Sequence, residues 1–64
     1  MADLKSRFNI TFANLPIPMR DNVAVVVDDN PLSWNVLKIE VDNNTELSIK
    51  ALNILDKLDF LKKI

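Results

Sequence analysis

A chain of 64 residues with no glycine, no cysteine, no histidine, three prolines and a net charge of −1 excludes more chemistry than it suggests. Without cysteine or histidine there is no thiolate, no imidazole base and no zinc-type ligand, and without glycine the usual phosphate loops cannot be built. Eight basic residues against nine acidic ones give no electrostatic footprint for nucleic acid.

The expectation is one small domain over residues 1–64, with a correspondingly small core. Residues 1–9 lack the apolar centre of a signal peptide, and the longest apolar run, residues 23–27, falls far short of the ~20 residues that span a bilayer. The chain therefore reads as cytoplasmic and without membrane contact.

From Arg7 to Phe12 the residues alternate, Phe8, Ile10 and Phe12 against Arg7, Asn9 and Thr11, which predicts a half-buried strand. Pro16 and Pro18 then stiffen a loop by fixing φ and holding Leu15 and Ile17 extended. A second strand is predicted from Asn22 to Asp28. Its centre, Val23-Ala24-Val25-Val26-Val27, is apolar throughout, so both its faces should be covered.

Asn30 followed by Pro31 has the form of a helix start, predicting a short helical turn over residues 31–34. Residues 35–41 return to alternation through Leu37, Ile39 and Val41, which predicts a third strand. A longer helix over residues 31–40 is the competing reading. Asn43 with Glu46 has capping-box spacing, and a helix is predicted from there to the end of the chain. Its apolar stripe is Leu47, Ala51, Ile54, Leu55, Leu58 and Leu61, with Lys62 and Lys63 in the last turn. The elements sum to an α+β fold, a small three-stranded antiparallel meander (β-β-β-α) with one C-terminal helix packed on one face.

Such an arrangement leaves apolar residues without cover. Ile49, Phe60 and Ile64 fall on the helix face opposite the stripe, while Ala24, Val26 and Val36 fall on the second face of the sheet. The lone tryptophan, Trp34, is either a core plug or part of an interface. These seven residues point to a protein-interaction module that binds itself, as a homodimer, or another protein, since association also relieves the shortage of core.

Asp28 and Asp29 at the end of the apolar strand could supply oxygen ligands to a hydrated Mg²⁺ ion. The run Val25-Val26-Val27-Asp28-Asp29-Asn30-Pro31 resembles the start of a response-regulator receiver domain, where an acidic pair follows the first strand. The resemblance covers about seven residues. It implies a magnesium- or phosphate-responsive module and carries over no phosphoacceptor. Turn and capping roles for the same residues are the competing explanation.

Weak nucleic-acid binding through Lys5, Arg7, Arg20 and Lys38 on the second sheet face is a further alternative, disfavoured because no exposed aromatic accompanies them. No cofactor is implied, and no nucleophile stands at a recognisable spacing from a base. The sequence does not read as an enzyme.

Overall fold

A computed structural model describes residues 3–61. In chain order these form helix α1 (Leu4–Asn14), a 3-10 turn (Ile17–Met19), strands β1 (Val23–Val27) and β2 (Asn30–Ser33), helix α2 (Trp34–Asp42) and helix α3 (Glu46–Lys57). The class is α+β, but with three helices and one two-stranded antiparallel sheet among the described residues, so the three-stranded meander with one helix is overturned.

The segment expected as a first strand lies inside α1. Asp3 starts the helix, its side chain accepting the Ser6 amide at 2.8 Å. Leu4, Phe8 and Phe12 then recur every four residues, a spacing that fits a helical face as well as alternation does. Phe8 is fully buried, and Leu4 and Phe12 pack against the core beside it. Pro16 stops the helix by holding Leu15 extended.

The expected third strand is also helical. Ser33 is the cap of α2, its Oγ accepting the Val36 amide at 3.1 Å. Leu37 and Val41 are buried and Trp34 packs against them, one helical stripe at spacings of three and four. Ile39, which alternation would bury, is 60% exposed. The competing helix over residues 31–40 comes closer, yet residues 30–33 are strand β2 and not a helical turn.

The reason lies in Asp28 and Asp29. Both take positive φ, 50° and 66°, forming a two-residue hairpin turn of the left-handed kind that suits strand twist. Asn30 and Pro31 therefore leave a turn and enter a strand. Val25, Val27 and Leu32 are buried on the inner face, whereas Val23 and Val26 are more than half exposed. The all-apolar strand is thus covered on one face only.

Thr45, not Asn43, caps α3, accepting the Ser48 amide at 3.1 Å after a turn in which Asn44 has φ 54°. Ala51, Leu52 and Leu55 are buried, with Leu47 and Ile54 packed beside them, while Leu58 is exposed. The helix does not run on to the chain end. Asp59 turns left-handed at φ 61°, the Phe60 amide bonds the Leu55 carbonyl at 3.0 Å, and the Asp59 amide bonds the Asp56 carbonyl at 3.1 Å. That is a Schellman closure with aspartate where glycine is usual. Lys62 and Lys63 lie outside the described residues.

The three helices and the inner hairpin face enclose one core. At its centre the Phe8 ring stands between those of Phe12 and Trp34, each centroid 6.0 Å away. The Arg20 guanidinium continues the stack, 4.4 Å from the Phe12 ring, and donates to the Phe12 carbonyl at 3.2 Å. Arg7 ties α1 to the far end of α3, bonding Asp56 at 2.7 Å and the Leu61 carbonyl at 3.5 Å.

Candidate functional site

The hairpin's outer face is built by its register. Val27 pairs with Asn30, Val26 with Pro31 and Val25 with Leu32, but the next pair is Val23 with Ser33, leaving Ala24 as an extra residue. This bulge breaks the period of two. Ala24 packs partly buried against the core, and Val23, which strict alternation would place beside Val25, joins Val26 on the outside.

The apolar face continues onto α2 through Ser33. This residue lies opposite Val23 and also caps α2 at Val36, so the strand pair and the first helical turn share an edge. Val36 is 46% exposed, and Ile39, one turn further, 60%. Val23, Val26, Pro31, Val36 and Ile39 thus make up an exposed strip of side chains without a charge, three from the hairpin and two from α2. Polar pairs neighbour Val36 and Ile39 in sequence, Asn35 with Asp21 at 2.7 Å and Lys38 with Asp42 at 2.7 Å.

Of the residues singled out from sequence, Val26 and Val36 lie on this strip. Ala24 and Trp34 instead pack on the core, Trp34 against Phe8. Ile49 is exposed on α3, and Phe60 is exposed beyond the helix end, so the shared helical face expected for the two does not exist. Ile64 lies outside the described residues. Phe60 lines a shallow groove of about 380 Å³ with Thr11, Asn14, Leu15, Asp59 and Leu61.

Sequence reasoning missed Val23, Pro31 and Ile39. Ser33 ahead of an i, i+3, i+7 stripe at Trp34, Leu37 and Val41 was the signal for α2, and with α2 in place Ile39 faces outward. No sequence signal marks the bulge at Ala24.

Asp28 and Asp29 are the hairpin turn. Asp28 meets the Lys50 ammonium at 3.3 Å in an exposed pair that contributes little to stability. Among the described residues no three acidic side chains converge as a cation site. The four basic residues expected on the second sheet face do not lie on the sheet, because Lys5 and Arg7 belong to α1, Lys38 to α2 and Arg20 to the loop between α1 and β1. Lys5 bonds Asn44, Arg7 pairs with Asp56, Lys38 pairs with Asp42 and Arg20 covers Phe12.

No helix among the described residues is long and apolar enough to cross a membrane. Comparison with protein-family models, with curated proteins and with solved structures returned no match.

Proposed function

We propose that this chain is a small protein-interaction module that associates with itself, as a homodimer, through the side of the hairpin that carries the exposed residues Val23 and Val26. The strip carries the reading because its residues are exposed and uncharged and have polar pairs as sequence neighbours, a composition that suits an interface. The size of the chain supports it too, since domains near 60 residues bury only about 60% of their unfolded surface. A second copy adds the missing core.

The setting proposed is cytoplasmic, consistent with a composition free of cysteine. Neither a cofactor nor a catalytic role forms part of the reading.

Sedimentation velocity over a concentration series tests it. The expected result is a concentration-dependent dimer that Val26→Asp converts to a folded monomer, because the substitution sets a charge in the middle of the strip. A wild-type chain that stays monomeric at high micromolar concentration refutes self-association, and a different protein bound at the same strip would then be the occupant.

A further inference from the structure

The hairpin leaves one of its edges open in a way that specifies a strand as its partner. In a two-residue hairpin the pair flanking the turn, here Val27 and Asn30, exchanges the hydrogen bonds, so at the next position Val26 and Pro31 direct their backbone groups away from each other. Pro31 has no N–H to offer on the β2 side. On the β1 side the Val26 N–H and C=O have no backbone partner outside the hairpin among the described residues.

The two edges therefore differ. Strand β2 is four residues long, with Asn30 and Pro31 at its start, and proline is a usual device for blunting an edge. Strand β1 is five apolar residues with no lysine, proline or acid within it, and Val26 at its open position is 55% exposed.

We infer that β1 pairs edge to edge and antiparallel with β1 of a second copy, giving a four-stranded sheet β2-β1-β1-β2 about a two-fold axis. The inference rests on the self-association reading and names its geometry. An antiparallel strand edge complements itself under a two-fold, each residue meeting its partner and being met in return. The acidic turn decides the direction. Antiparallel pairing carries Asp28 and Asp29 of the two copies to opposite ends of the sheet, whereas parallel pairing would set four carboxylates side by side. The pairing sets β1 of each copy beside the exposed Val26 of the other, so each copy covers part of the other's hairpin.

Val26→Pro tests this, because it removes the outward N–H while keeping an apolar residue at an edge position that tolerates proline. Circular dichroism and Trp34 fluorescence establish that the variant is folded. The expected result is a dimer dissociation constant raised about tenfold or more, since each copy loses one donor and the sheet closes around it. A folded Val26→Pro chain that dimerises as tightly as wild type overturns the edge pairing and leaves self-association standing, while a monomeric wild type overturns both. Amide hydrogen exchange on the wild-type chain is the second measurement, should the variant not fold. Exchange at Val26 should slow as the dimer forms with rising concentration, and exchange unchanged across that range overturns the inference.

Discussion

Phe8→Ala removes the ring on which the other aromatic residues stack. The side chain is fully buried, with Phe12 on one side and Trp34 on the other, and both centroids are 6.0 Å away. Truncating a buried phenylalanine costs about 3–5 kcal/mol, because the transfer free energy is lost and a cavity remains. A chain of this size has roughly 3–10 kcal/mol in total, at about 0.05–0.15 per residue. The variant is therefore expected to sit near the edge of folding, whereas Phe8→Leu, which refills most of the space, should lose only about 1.5 kcal/mol.

Urea titration followed by Trp34 fluorescence and by circular dichroism reads both variants, with an m-value near 1 kcal/mol per molar for so small a chain. The phenylalanine-to-alanine midpoint should fall by about 3 M. A loss below about 1 kcal/mol would show that the ring is not where the core closes.

Asp29→Gly should stabilise the fold by about 0.5 kcal/mol, raising the melting temperature by a few degrees, because φ 66° is free of strain only for glycine. An unchanged or lower melting temperature in calorimetry would count against a strained turn. Asp3 carries the pH dependence of α1. The Ser6 amide bonded to its carboxylate holds its pKa below the ordinary 3.8, so the folded value is lower than the unfolded one. The contribution of the cap is complete above that ordinary value and is lost as the pH falls through the folded value. Asp3→Asn should flatten this part of the acid profile, read from the Ser6 amide shift by NMR, and an identical profile would refute the assignment.

Much of the local chemistry was legible in the sequence, and the fold was not. The hydrophobic residues of 7–12 and 35–41 obey both a period of two and a helical stripe, because Phe8 and Phe12, or Leu37 and Val41, are four apart in either reading. What separates the readings is the residue ahead of each run. Asp3 and Ser33 are caps, and they settle α1 and α2. Strand β1 was legible because five β-favouring or small apolar residues end at a turn. That its outer face is bare depends on how many elements exist to cover it, a tertiary property.

The interface candidates divided along the same line. Val26 and Val36 were found as leftovers of a sheet that does not exist, yet they are exposed because the real hairpin and helix each have an uncovered side. Trp34 joined the core through the ring of Phe8, 26 residues earlier in sequence, a contact that no local pattern encodes. The glycine-free composition had its counterpart in Asp28, Asp29, Asn44 and Asp59, which take the left-handed positions where glycine would ordinarily stand.

The bonds made by Arg7 also bear on the order in which the chain can assemble. The β1–β2 hairpin and the α2–α3 pair each join neighbours in sequence, but apart from the contacts of Arg20 on Phe12, α1 is held by polar partners 29, 39, 49 and 54 residues away, through Lys38, Asn44, Asp56 and Leu61. Closing a flexible span of about 50 residues costs about 3.5 kcal/mol of chain entropy beyond a constant, more than either local pair demands. That cost falls almost wholly on α1. The helix that supplies Phe8 thus has the weakest claim to early formation, and until it docks, the inner face of Trp34 lacks its principal cover.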